Sequence, residues 1–143
     1  MPQKSWFEYP IRVQPHHTDY AGIVWHGAYI TWLEEARIEC LRQAGAEFTN
    51  WVAMGIDLPV VDLSLRYHRA LQLGMKALLK TRLSHRGVRL NWHYEIHAIA
   101  PSYLCLTGQV TLVPIDRTHN KIMRSLPSEV RQILKQLNRQ FGD

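Results

Sequence analysis

The chain has 143 residues, 46% of them hydrophobic and 20% charged, with a formal net charge of +5. A chain of that length predicts one domain, residues 1–143, with a core that needs no metal or disulfide staple. The composition excludes a disordered chain, and no apolar run approaches the roughly 20 residues of a membrane span. The first eleven residues carry charges and Pro10 where a secretory signal needs an apolar stretch, so a cytoplasmic location is expected. Cys40 and Cys105 lie far apart with no CxxC pattern, and read as reduced core thiols. The basic balance suits an anionic partner: nucleic acid, a membrane surface or a phosphorylated small molecule.

In chain order, residues 6–13 read as a strand edged by Pro10. Residues 14–22 are polar and turn-like. A helix over residues 27–44 follows, with Tyr29, Leu33, Ala36 and Cys40 on one stripe. Ile30, Trp32 and Leu41 widen that stripe, which predicts a helix wrapped on several sides. Gly45 reads as its stop. After Trp51 the period changes to two: Val61, Leu63, Leu65 and Tyr67 alternate with Asp62, Ser64, Arg66 and His68. A shorter run covers residues 75–83. Residues 89–99 alternate most cleanly, with Leu90, Trp92, Tyr94, Ile96 and Ala98 on one face. Residues 103–113 form the hairpin partner after Pro101-Ser102. Pro127 opens a closing helix in which Val130, Ile133, Leu134, Leu137 and Phe141 keep a 3.6 period. Strand, long helix, four strands and short helix give an α+β protein, with an antiparallel sheet against a buried helix.

The densest polar and turn-forming segment, His16-His17-Thr18-Asp19-Tyr20-Ala21-Gly22-Ile23-Val24-Trp25-His26-Gly27, runs into that helix. The first turn of a helix has free N–H groups and a positive dipole end, which together hold an oxyanion. Asp19 offers a carboxylate that the loop could return to that place. A carboxylate facing amide donors suits hydrolysis of an activated acyl compound. A thioester fits well, because its thiol leaves with little help from an acid. The same residue types also suit an Asp19 that caps a turn and a His26 that packs nearby.

The run from His17 to His26 resembles the TD-x-x-G-[IV]-V-[YW]-[HY] signature of hotdog-fold thioesterases related to 4-hydroxybenzoyl-CoA thioesterase. Tyr29, Glu34 and Ala36-Arg37 continue the pattern, as do Leu58-Pro59-Val60-Val61 and the run from Leu65 to Ala70. The sequence is most similar to the acyl-CoA thioesterases associated with the Tol–Pal system. The resemblance covers nearly the whole chain, more loosely after about Leu83. It implies a hotdog fold, an antiparallel sheet of about five strands wrapped around the central helix. It implies homodimers joined sheet edge to sheet edge, often paired again into homotetramers, with active sites at the dimer interface. Asp19 matches the catalytic Asp, as nucleophile or general base. His26 matches the residue whose amide polarises the carbonyl, with Gly27 beside it and Gly22 at the bend of the loop. Glu34 matches an acid whose role the sequence does not assign. His16-His17 replaces the acidic pair of many members, which bears on the ionisation of Asp19. No cofactor and no metal are implied.

The turn from His85 to Arg89 corresponds to a turn that meets coenzyme A phosphates in related enzymes, which makes Arg86 and Arg89 substrate-binding candidates. A solvated basic turn is the alternative, and Arg66 and Arg69 are weaker candidates. His93, Glu95 and His97 alternate on a strand, where their spacing is too wide for one zinc ion. Trp92 and Tyr94 fall on the regular apolar face, so core packing outweighs base stacking. The expected function is hydrolysis of an acyl-CoA thioester to a free acid and coenzyme A, with neither nucleic acid nor membrane insertion. The alternatives are a non-catalytic acyl-thioester or nucleic-acid binder, and a hotdog hydratase or dehydratase.

Overall fold

The structure, a computed structural model, describes residues 5–141. In chain order its elements are β1 (Phe7–Arg12), a 3-10 turn (Pro15–His17), α1 (His26–Gln43), α2 (Phe48–Ala53), β2 (Ile56–Asp57), β3 (Val60–Tyr67), β4 (Lys76–Arg86), β5 (Arg89–Ala98), β6 (Tyr103–Leu112), β7 (Ile115–Asp116), β8 (Lys121–Ile122) and α3 (Ser128–Phe141). Five strands form one antiparallel sheet in the order β1-β4-β5-β6-β3.

Alternation decides which face of the sheet is covered. Leu90, Trp92, Tyr94, Ile96 and Ala98 of β5 are buried, as their period of two requires. Phe7, Thr81 and Tyr94 are cross-strand neighbours and share that face. α1 lies over it, burying Ala28, Tyr29, Trp32, Leu33, Ala36, Cys40 and Leu41. α3 docks against β4 with Val130, Leu134 and Leu137 buried, and Phe141 lies edge-on to Phe7 of β1 at 5.7 Å. Trp92 and Tyr94 are core residues, as the sequence pattern requires. Cys40 and Cys105 are free and buried.

Gly45 ends α1 in the left-handed region at φ +95°. Its N–H donates to the Arg42 carbonyl and that of Ala46 to the Leu41 carbonyl, a paired bonding that satisfies the last carbonyls of the helix. Pro127 stands just before α3, where its carbonyl accepts the Arg131 N–H.

Three expectations change. Ile30 was expected in the apolar stripe but is 38% exposed, because it sits on a flank of α1 that the sheet does not reach. β3 has the expected alternation, yet every residue except Leu65 is exposed, because β3 is an edge strand with β6 on one side only. The short α2 and the small sheet β2-β7-β8 have no counterpart in the sequence reading. Elements of two to six residues are too short to show a period.

Candidate active site

The chain between the 3-10 turn and α1 doubles back on itself. The Asp19 N–H donates to the Ile23 carbonyl (2.8 Å), the Gly22 N–H to the Asp19 carbonyl (3.0 Å) and the Trp25 N–H to the His17 carbonyl (3.2 Å). Gly22 makes the bend at φ +80°, where a side chain would be strained. A second clamp comes from the segment leading to β4. The Val24 N–H donates to the Leu71 carbonyl (3.0 Å), and the Leu73 N–H to the Gly22 carbonyl (2.9 Å). Leu71 is itself fixed from α1, its N–H donating to the buried Tyr29 hydroxyl at 3.0 Å. Helix, loop and pre-strand segment thus form one hydrogen-bonded unit.

Asp19 uses its two carboxylate oxygens unequally. Oδ1 accepts the N–H groups of Ala21 (2.9 Å) and Ile23 (3.0 Å). Oδ2 receives no hydrogen bond from the described residues, and the side chain is exposed. Turn-capping accounts for Oδ1 alone. It leaves an oriented carboxylate with one oxygen available.

Seven residues on, the loop delivers the chain to the start of α1 at His26. Trp25 occupies the cap position and makes no side-chain capping bond. The Ala28 N–H donates to the Trp25 carbonyl (3.0 Å), while the amides of His26 and Gly27 lie at the start of the helix, before any intrahelical acceptor, at the positive end of the dipole. The Tyr67 hydroxyl donates to the His26 carbonyl at 2.8 Å and fixes this terminus to β3. The His26 imidazole is exposed, edge-on to Trp25 with ring centres 5.3 Å apart. Gly27 serves a close approach. A Cβ there would lie 2.1, 2.2 and 2.9 Å from three atoms of the Trp25 ring.

The groups under the loop are neutral at ordinary pH. Burial pushes Tyr29 above its usual range and the Cys105 thiol up to about 11. Tyr67 is raised by burial and then by Cys105. His17 is lowered, by burial first and then by the His16 ring 4.0 Å away, against an opposing pull from Glu35. Its Nδ1 accepts the Gln14 N–H (2.9 Å), and its ring packs on Trp32 (4.8 Å) rather than on Asp19.

The loop ties Asp19 to Gly22 and Ile23 and leads into His26 and Gly27 at the start of α1, whereas Arg86 and Arg89 lie apart from it. The two arginines are exposed and pair across the β4–β5 turn; the side chain of His85 lies outside the described residues. β4 leaves the Asp19 end of the sheet at Lys76 and runs 11 residues to that turn, more than about 30 Å. Glu34 is exposed and borders a cavity of about 60 Å³ with Arg37, Leu41, Phe48 and Trp92. On the uncovered sheet face, His97 pairs with Glu95 (2.9 Å) while His93 turns to Ser84 (3.1 Å). No cluster with a metal-binding arrangement occurs among the described residues.

Tyr67 and Trp25 both touch the start of α1; Trp25 stands in the signature without an assigned role, and the part Tyr67 plays was not legible in the sequence. Tyr67 looked like one apolar position in an alternating strand. The signal for where the Trp25 ring lies was the helix-disfavouring glycine two positions later.

The family model of the thioesterase superfamily matches residues 21–105. A putative esterase of Synechocystis, sll0410, is 52% identical over 94% of this chain and 81% of its own length. The acyl-CoA thioester hydrolase YbgC of Escherichia coli is 28% identical over 91% of this chain and 96% of its own. Among solved structures, a DHNA-CoA thioesterase from Staphylococcus aureus superposes with a TM-score of 0.84 at 25% identity, covering 94% of this chain and 91% of that one. A 1,4-dihydroxy-2-naphthoyl-CoA thioesterase from Synechocystis shares the fold, with a TM-score of 0.85 at 23% identity over 93% of this chain and 98% of that one. With its five-stranded antiparallel sheet packed on α1, the chain belongs to the thioesterase superfamily and is a hotdog-fold thioesterase.

Proposed function

We propose that this thioesterase hydrolyses an acyl-CoA thioester to a free acid and coenzyme A, with Asp19 as its reactive carboxylate. The observation that carries the assignment is the division of labour within Asp19. Oδ1 is held by two amides, and Oδ2 is left bare on a loop that leads directly to an uncapped helix terminus. Oδ2 either attacks the thioester carbonyl or takes a proton from the attacking water. Both routes put negative charge on the carbonyl oxygen, and the amides of His26 and Gly27 receive it. The C–S bond then breaks, and the thiolate leaves unaided because its conjugate acid has a pKa of about 8.5; on the first route water then hydrolyses the Asp19 acyl anhydride, releasing the acid and restoring the carboxylate.

The working unit is an oligomer. β3 presents Val60, Val61, Leu63 and Tyr67 to solvent along an unpaired edge, which a second copy of β3 would cover. A twofold axis through that edge reverses strand direction. It carries the partner's β4–β5 turn to the end of the sheet that holds Asp19. This pairing gives Arg86 and Arg89 a route to the coenzyme A phosphates that one protomer lacks. Such dimers pair again into tetramers in this reading, and light scattering of the purified protein separates the two states. Two buried free thiols fit a reducing, cytoplasmic setting.

The test is turnover of a panel of acyl-CoA compounds by wild type and Asp19→Asn. The Asn side chain still accepts the Ala21 and Ile23 amides, so the loop keeps its shape while the charge is gone. The variant should fold and assemble normally and lose at least about 100-fold in kcat. Near wild-type turnover by a folded Asp19→Asn would sink the mechanism.

A further inference from the structure

We propose that Trp25 selects the acyl group, by laying its indole on the Gly27 backbone beside the carbonyl site. The inference rests on the reading that the thioester carbonyl binds at the start of α1. Three observations point the same way. The ring occupies the space where a Cβ of residue 27 would stand, within 2.1 to 2.9 Å of it at three atoms. In a helix the Cα–Cβ bond tilts toward the N-terminus, so that space leans over the open end of α1, where the free amides are. The ring is also 48% exposed, so one side rests on the helix and the other is offered outward.

An apolar surface in that position does two things. It excludes water from one side of the first-turn amides, which strengthens their hold on a developing oxyanion. It also gives the acyl chain a flat wall beginning next to its carbonyl. An acetyl group ends before it can use much of that wall. A medium-length aliphatic or an aromatic acyl group lies along it. The class of substrate is therefore an acyl-CoA whose acyl group has an apolar body beyond the α-carbon. Gly27 belongs to the same device, because any side chain there would lift the indole off the helix. The His26 ring, edge-on at 5.3 Å, limits how far the indole can swing.

The experiment compares kcat/KM for acetyl-CoA, octanoyl-CoA and benzoyl-CoA in wild type, Trp25→Ala, Trp25→Phe and Gly27→Ala. In wild type at least one larger substrate should outrun acetyl-CoA. Trp25→Ala should reduce that preference at least about tenfold, the scale of losing contacts in an apolar pocket. Trp25→Phe should keep most of it. Gly27→Ala leaves residue 25 untouched yet displaces its ring, so it should reproduce the Trp25→Ala loss. The double variant should then lose no more than either single one, because both remove the same contact. Equal losses on all three substrates would mean that Trp25 only steadies the helix start, and would overturn the proposal. Wild-type selectivity in a folded Trp25→Ala or Gly27→Ala would overturn it too. Wild type that hydrolyses none of the three substrates fails earlier, at the acyl-CoA reading itself, and takes this proposal with it.

Discussion

The hydroxyl of Tyr67, on the open edge of the sheet, donates to the carbonyl of His26, the first residue of α1, across 2.8 Å. One bond thus fixes the tilt of the peptide that carries the Gly27 N–H, one of the two amides proposed to receive the oxyanion. Tyr67→Phe deletes that bond and little else. It should cost about 1 kcal/mol of stability, the net worth of an ordinary hydrogen bond. It should also lower kcat more than it changes KM, because amide alignment matters most when charge develops. Thermal melts and steady-state kinetics on one acyl-CoA check both arms.

His26 is proposed to act through its backbone, while its imidazole is exposed. His26→Ala should therefore lose less kcat than Asp19→Asn on the same substrate. A folded Ala variant with the larger loss would give the imidazole a chemical role of its own.

Arg86 and Arg89 reach the substrate only through a partner chain in the proposed assembly. Arg86→Ala and Arg89→Ala should mainly raise KM for acyl-CoA, because phosphate binding is shared by ground and transition states. The effect should shrink at high salt and vanish for an acyl-pantetheine that lacks the nucleotide phosphates. Equal relative losses on the two substrates would reduce the turn to a solvated basic loop.

His17 gives stability a pH dependence. Its folded pKa lies below the ordinary value of about 6.5, through burial first and the neighbouring His16 second. The unfolded chain therefore takes up the proton more readily than the folded one. Stability from this group is complete above about pH 6.5 and declines as pH falls toward the lowered folded value. His17→Asn keeps an acceptor near Nδ1 and removes the titration, so the melting temperature should fall less between pH 7 and pH 5. An unchanged slope would show that other groups carry the acid sensitivity.

The long elements were legible because burial imposes a period on them. β5 repeats every two residues over ten positions, and α1 every three to four over eighteen. The loop was legible through Asp19, Gly22 and the helix that follows. What escaped reading depends on contacts between distant segments. Nothing near Tyr67 in the sequence marks His26 as its partner. The 71–73 clamp on Gly22 and Val24 is visible only once β4 is placed. The distance of Arg86 and Arg89 from Asp19 follows from strand length and direction, which a motif does not carry. β3 read as an ordinary half-buried strand because alternation reports two faces, not whether the strand has a second neighbour.

The bare edge of β3 also shapes how the chain comes into being. During synthesis β3 emerges long before β6, its one intrachain partner, so for a time both of its edges are open. Val60, Val61 and Leu63 then have no neighbour, and Gly108, whose missing side chain leaves room for Leu65, has not yet been made. Nascent chains on one message are in the same condition at the same time. Asp62 and Arg66 interrupt the apolar run on this strand, the placement of charge that limits aggregation of unfinished chains. A substitution that neutralises both positions would spare the finished fold and should drive the newborn protein into inclusion bodies.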